Sequence, residues 1–462
     1  MPRAPLRLLV GVSLATSATL ACAGEVDRPA LLIESAHVMT MTSEGDLADT
    51  DVLLRDGHIV AIGRDLDPAT HGVSRVERID ARGHVVLPGF VDTHSHLWTT
   101  TMRGRFGGTD GTRFFPVSTA LGAVMTAGDI GIAMRLGALE LIDGGITTTA
   151  DFFDNVLTPA HAEAGLTALD ASGIRGRLHY GGRDRSTRYP IDLDHLGRLA
   201  EARAPGSRVG LGLAWRLPRD RDDPANWAVR QREYDAARRL GLPVQVHVSG
   251  EPGPMFDALI ERDYLAPGVE VVHATDATPR QLAALDAAGA SLSLTPISEH
   301  RVGYGLTRLA AFSGVDRQGL GIDGNALAGS ADMFATMRLA ALTWTGDARE
   351  ETAVQPRRLL ELATVGGARA LRMEDAIGSL APGLRADVQL VRLDALHLAG
   401  HAGEDPASLL VWSARPSDVA TVIVDGIVRK RDGVLVDVDL PALVREANAS
   451  AAAIRSRAQA PD

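Results

Sequence analysis

Between about residue 88 and residue 370 the chain alternates short apolar runs with stretches of helical spacing, and this alternation narrows the fold more than any other feature. Thr147–Ala150, Arg177–Tyr180, Val209–Leu213, Val244–His247, Val269–His273, Ser291–Leu294 and Leu320–Asp323 read as strands. The run that ends at His94 and His96 makes an eighth. Asp129–Ile142, Asp235–Leu240, Pro279–Ala288 and Ala331–Leu342 carry helical spacing between them. Strand, helix, strand repetition predicts parallel strands joined by right-handed crossovers. Eight such strands over this length predict an α/β fold, a closed (β/α)8 barrel rather than an open sheet.

The flanks have a different texture. Leu31–Ile33, Val52–Leu54, His58–Ile62 and Val85–Leu87 are short and β-rich, with Asp56-Gly57 and Arg82-Gly83 as turns between them. After residue 375 the same pattern returns in Asp387–Val391, Ala420–Val424 and Val434–Val436, with Asp425-Gly426 as a hairpin signal. The first segment alone is too small for a comfortable core. The two ends are therefore expected to pair in one small β-domain, residues 30–87 plus 375–437, beside a barrel over 88–370. An amphipathic helix is expected over 440–458.

Composition excludes several functions. The net charge is −11 with no basic cluster, which argues against a nucleic-acid partner. No internal apolar run is long enough to span a bilayer. Cys22 is the only cysteine, so no intrachain disulfide and no cysteine-ligated metal site can form. A metal site must then use His, Asp or Glu. At the N-terminus, Arg3 and Arg7 precede a mostly apolar or small stretch from Leu8 to Leu20, and Ala21-Cys22-Ala23 fits a small-residue cleavage site. This reads as an export signal over residues 1–23, giving a periplasmic, secreted or lipid-anchored protein; without it the chain would be cytoplasmic. Cys22 is also placed as in a bacterial lipoprotein, although Thr19 stands where leucine is usual.

Active-site groups of a (β/α)8 barrel sit at the C-terminal ends of its strands. His94 and His96 close the first strand at i and i+2, so their imidazoles share one face. His247, His273 and Asp323 each close a further strand. Any one alone reads equally well as an ordinary strand-end polar residue. Five of ligand type at strand ends converge on the barrel mouth.

The motifs carry a resemblance. Leu87-Pro88-Gly89-Phe90-Val91-Asp92-Thr93-His94-Ser95-His96, Gly145-Ile146-Thr147-Thr148 at a third-strand entry and Gly321-Ile322-Asp323 resemble the amidohydrolase superfamily. So do Gly366-Gly367-Ala368-Arg369-Ala370-Leu371 and the stretch from Ile377 to Asp387. The branch is that of cytosine deaminase, S-adenosylhomocysteine deaminase and triazine hydrolase, and the likeness covers roughly residues 30 to 435. It implies a barrel beside a composite β-sandwich, often as a homodimer. It also implies one divalent metal held by His94, His96, His247 and Asp323, with His273 beside it. Many relatives hold two metals bridged by a carboxylated lysine of the fourth strand; here the only lysine is Lys430, outside the barrel, so one metal is expected. Zinc suits three imidazoles and a carboxylate, with iron as the alternative. The metal would acidify a water, Asp323 would take its proton, and His273 would stabilise the oxyanion formed at the attacked carbon. The implied activity is hydrolysis of a non-peptide carbon–nitrogen bond in a small, cyclic substrate, foremost deamination.

The match departs at one point. Deaminases of this branch carry a proton-shuttling glutamate three residues after the fifth-strand histidine. Here that position is Gly250, and Glu251 follows one residue later. Either a bulge restores Glu251 to the site or the shuttle is gone. Amide or urea hydrolysis and hydrolytic dehalogenation are the alternatives on the same site, with elimination or rearrangement behind them. A non-catalytic scaffold is disfavoured by the complete ligand set. Softer candidates for the substrate side are Asp92, Trp98, Arg103, His179, Trp215, Arg216, Glu299 and His300, each with a structural reading beside it.

Overall fold

The computed structural model describes residues 29–182, 190–204, 206–248, 252–403 and 405–460. The expected export signal with Cys22, and Ser249, Gly250 and Glu251, lie outside the described residues.

Eight parallel strands form the barrel in chain order: Phe90–Ser95, Ile146–Phe153, Arg175–Tyr180, Val209–Trp215, Val244–Val248, Val269–His273, Ser291–Leu294 and Gln318–Leu320. Closure comes from the eighth strand meeting the first. A parallel bridge joins Ser95 and Asp323, Asp323 N–H donates to the His94 carbonyl at 2.8 Å, and His96 N–H donates to the Asp323 carbonyl at 3.2 Å. Gly321 permits this approach, since a Cβ there would stand 2.9 Å from His94 N. The Gly145-Ile146-Thr147-Thr148 motif, expected to open a third strand, opens the second, because the strand before the barrel belongs to the other sheet. That strand also runs on to Phe153, past the Ala150 at which the apolar run stops.

Both chain ends build one mixed sheet. Its order is Val434–Leu435, Ile427–Arg431, Val419–Val424, Val388–Arg392, His84–Pro88, Ala30–Met39, Asp46–Arg55 and His58–Gly63, with Val76–Asp80 paired to the start of Ala30–Met39. Val388–Arg392 runs antiparallel to His84–Pro88, which joins the two ends. The turn residues behave as their types demand. Asp56-Gly57, Asp425-Gly426 and Asp432-Gly433 all have positive φ at both positions, the type I′ geometry of two-residue hairpins. Asp425-Gly426 therefore leads directly into Ile427–Arg431, a strand that charge at Arg429, Lys430 and Arg431 hides from a hydrophobicity reading, and only then into Val434–Leu435. Val76–Asp80 escapes for the same reason.

The sheet is fastened to the barrel by charge. Arg175 of the third barrel strand is buried, with Nε 2.6 Å from Asp387 Oδ2 and Nη2 2.7 Å from Asp425 Oδ1. Lys430 is buried too and donates to the Asp143 carbonyl at 2.7 Å, at the end of the helix Ala127–Asp143. The last helix, Leu440–Gln459, buries Leu443, Ala447, Ser450 and Ile454. Ser450 Oγ donates at 2.6 Å to Asp129 Oδ1 of the helix Ala127–Asp143. No described helix is long and apolar enough to cross a membrane.

Candidate metal centre and substrate pocket

Three imidazoles meet at one point over the barrel's C-terminal end. The Nε2 atoms of His94 and His96 are 3.2 Å apart, those of His96 and His247 3.3 Å, and those of His247 and His94 3.1 Å. Asp323 Oδ1 lies 3.5 Å from His96 Nε2 and 3.9 Å from His94 Nε2. Tetrahedral zinc with Zn–N of about 2.0–2.1 Å sets its nitrogens ~3.3 Å apart. The spacing of the three nitrogens fits that ion. Phe152 packs its ring 4.3 Å from that of His247.

Each imidazole is turned by a partner on its far nitrogen. His94 Nδ1 is 3.2 Å from Gln245 Oε1, so it donates there and leaves the Nε2 lone pair facing the centre. His96 Nδ1 is 3.2 Å from Asp154 Oδ1 and does the same. Burial and the neighbouring imidazoles hold His94 and His247 well below the ordinary imidazole value. Burial also opposes charge on His96, but Asp154, then Asp323 and Asp151, outweigh it and push His96 up to about 9. Burial thus favours the neutral, ligating form of His94 and His247, while the carboxylates around His96 favour its charged form.

His273 stands beside this group, with one ring nitrogen within 4.8 Å of ligand atoms on His94 and Asp323. Its Nδ1 is 3.0 Å from Thr295 Oγ1 and 3.3 Å from Glu299 Oε1. Glu299 is fully buried and fixed by Thr295 N–H at 2.8 Å and by the Thr307 hydroxyl. Both His273 and Asp323 have positive φ, 72° and 62°, a strained backbone at the two strand ends.

Other expected residues fall differently. Asp92 does not touch an imidazole: it accepts from the backbone N–H of Ile322 at 2.8 Å and of His94 at 3.3 Å, and so ties the first strand to the eighth. Burial raises its carboxyl to about 6. His179 does not line the metal pocket. Its Nδ1 lies 3.3 Å from the Asp151 carbonyl, and it faces a separate cavity with Arg177 and Glu270. Trp215 points outward, donating to the Arg230 carbonyl at 3.1 Å and packing on Tyr234 and Tyr264. His300 Nε2 accepts from Thr307 N–H at 3.1 Å and closes a turn. Arg103 reaches away from the metal to the Gly329 carbonyl and Glu140. Trp98 and Arg216 do line the pocket, with Phe114, Phe115 and Tyr304 beyond them. Glu251 lies outside the described residues.

Sequence reasoning missed Asp154, Gln245 and Phe152. Asp154 is buried, accepts from Trp98 Nε1 at 2.8 Å and from His96, and faces Arg216 Nη2 at 3.3 Å. Burial would raise its carboxyl, but Arg216, His96 and Trp98 together bring it down to about 2. Gln245 also donates through Nε2 to the Thr93 carbonyl at 2.8 Å and to Glu270.

Glu270 gives a pH prediction. Burial pushes its carboxyl up to about 8, against about 4.3 in an unfolded chain. Between those values the folded state holds a proton that the unfolded state has lost. Stability must therefore fall with rising pH across this window, by up to ~1.4 kcal/mol per pH unit from this group. Glu270→Gln removes that slope. Urea midpoints at pH 5 and pH 8 should differ less in the variant than in the wild type; equal pH dependence would contradict the assignment.

Residues 85–428 match the family model described as amidohydrolase family. The chain belongs to this family. As an amidohydrolase it is a metal-dependent hydrolase of carbon–nitrogen bonds other than peptide bonds. It is similar to the 5'-deoxyadenosine deaminase of Methanosarcina mazei, 29% identical over 447 residues, which cover 92% of this chain and 99% of that protein. The 5-methylthioadenosine/S-adenosylhomocysteine deaminase of Symbiobacterium thermophilum is 30% identical over 86% of this chain and 92% of its own. Among solved structures, a zinc-bound adenosine deaminase from Xanthomonas campestris superposes on this amidohydrolase with a TM-score of 0.79, at 23% identity, over 92% of this chain and 98% of that one. The zinc complex of atrazine chlorohydrolase TrzN from Arthrobacter aurescens gives 0.78 at 24% identity, over 91% and 100%.

Proposed function

We propose that this amidohydrolase is a one-metal, zinc-dependent deaminase of a small cyclic substrate. The observation that carries the reading is the convergence of the His94, His96 and His247 Nε2 atoms beside Asp323. These four residues would hold the ion, which supplies an acidified water at neutral pH. A second ion bridged by a carboxylated lysine has no lysine to use, because Lys430 is buried against Asp143 in the other sheet. Asp323 would take a proton from the attacking water and return it to the amine nitrogen as the carbon–nitrogen bond breaks, so that ammonia leaves. His273, held by Thr295 and Glu299, donates to the oxygen on which charge develops. Trp98, Phe114 and Phe115 form an apolar wall suited to a planar ring. The names of the similar curated proteins support amine loss as the reaction.

The purified protein is expected to carry about one equivalent of zinc by mass spectrometry of the metal. It is expected to release ammonia from amino-substituted heterocycles in a coupled assay. Release of halide or of a substituted amine, with no ammonia from any aminated ring, would overturn the deaminase reading.

A further inference from the structure

Gln245 turns His94, and it is itself held from its other side. In the register of the fifth and sixth barrel strands Gln245 stands beside Glu270. It shares a face of its strand with His247, two residues on. Its Nε2 donates to the Thr93 carbonyl at 2.8 Å and to Glu270 Oε2. An amide nitrogen has two protons, and both are used here. The amide oxygen is then the atom that faces His94 Nδ1, 3.2 Å away. An amide oxygen only accepts, so a neutral His94 carries its proton on Nδ1 and keeps the Nε2 lone pair for the ion. Turned over, the amide would press its oxygen on the Thr93 carbonyl and offer an N–H to Nδ1. The proton of His94 would then move to Nε2, where it blocks the metal.

Glu270 is buried and does not line the metal pocket. Its Oε1 has no hydrogen-bond partner among the described residues. A half-satisfied buried carboxyl is disfavoured against an apolar side chain of the same size, so its presence needs a reason. The hydrogen bond that its Oε2 does make comes from Gln245. Burial pushes the carboxyl up to about 8. At neutral pH, Oε2 therefore accepts as the oxygen of a neutral acid, a bond that a glutamine carbonyl could accept as well.

Resting on the metal reading of the three imidazoles, and not on the reaction, we propose that Glu270 is a positioning residue for the metal centre. Through Gln245 it fixes the tautomer of His94 and so tightens the hold on zinc, from a place outside the pocket that takes ion and substrate.

The test measures the zinc Kd of the full chain by competition with a chromophoric chelator. Gln245→Met is expected to weaken it by about 10- to 100-fold, the usual result of removing a partner behind a ligating histidine. Glu270→Met is expected to fall at the low end of that range, about tenfold. Glu270→Gln keeps the acceptor and should stay within about twofold of the wild type. In a Gln245→Met background, Glu270→Met should add less than about twofold, because the carboxyl acts only through the amide. Glu270→Leu repeats the comparison should the methionine variant not fold. A second readout needs no metal. By NMR of the imidazole nitrogens in the metal-free chain, His94, identified by its loss in His94→Asn, should be the Nδ1–H tautomer in the wild type and a mixture in Glu270→Met. Equal weakening by Glu270→Met with and without Gln245, or affinity and tautomer both unchanged in Glu270→Met, overturns the proposal. A wild type that takes up no zinc, with the tautomer change still seen, overturns the metal reading and sustains the hold of Glu270 on His94. Neither zinc uptake nor a tautomer change overturns both.

Discussion

His247→Ala is expected to leave the protein folded, without its metal, and slower in carbon–nitrogen hydrolysis by more than about 10³-fold in kcat/KM. His247 contributes one of three nitrogens that stand 3.1–3.3 Å apart, and none of the others can move into its place. His94 is tied through Gln245 and His96 through Asp154. Without the ion, water returns from a pKa near ~7 to ~15.7, and the nucleophile is scarce at neutral pH. Metal content and the ammonia-coupled rate, measured on the same preparation, check this. A variant that keeps a full equivalent of metal and stays within tenfold of the wild-type rate would show that the three nitrogens are not the binding set. The fold should survive, because the strand Val244–Val248 keeps its backbone pairing on both sides.

The largest effect on stability is expected from Asp387→Ala, about 3–5 kcal/mol. Asp387 faces the buried Arg175 through both carboxylate oxygens, at 2.6 and 3.1 Å, and also accepts the N–H of Asp425 at 2.7 Å. Burial opposes charge on Arg175, but Asp387 and then Asp425 more than offset it and hold the guanidinium above its ordinary value. Removing Asp387 leaves that cation in a site from which water is excluded, with only the partly exposed Asp425 as partner. The damage falls where the mixed sheet meets the third barrel strand, so it should loosen the two halves together. Urea unfolding followed by tryptophan fluorescence measures it. Pairing with Arg175→Met should recover part of the loss, since the double variant has no unpaired cation. A loss below about 1 kcal/mol in the single variant would mean that water reaches Arg175.

Much of the site was legible because its residues sit at strand ends. His94, His96, His247, His273 and Asp323 each close an apolar run, and a barrel brings such ends to one mouth. Asp154 was missed because the apolar run stops at Ala150, while hydrogen bonding carries the strand through Asp151, Phe152 and Phe153. Gln245 was missed because a polar residue inside a short strand gives no sign of which neighbour it faces. The choice between Trp215 and Arg216 turned on one residue of strand phase. His179 and His300 look like candidates in a list of histidines, yet backbone partners hold them in other places.

By itself the sequence determined the eight-strand count, the division into a barrel and a β-domain built from both chain ends, the hairpin turns and the histidines and aspartate that gather at the strand ends. Each of these is written in local spacing: alternation of apolar runs, Asp-Gly pairs, polar residues at run ends. Only the tertiary structure decided which partners turn the imidazoles, that Asp154 joins a metal-facing histidine to Arg216, and that Asp92 holds backbone rather than ring. Those pairings link strands far apart in the chain, and barrel closure sets the stagger between them. A shift of one residue in that stagger would exchange every inward side chain for its outward neighbour.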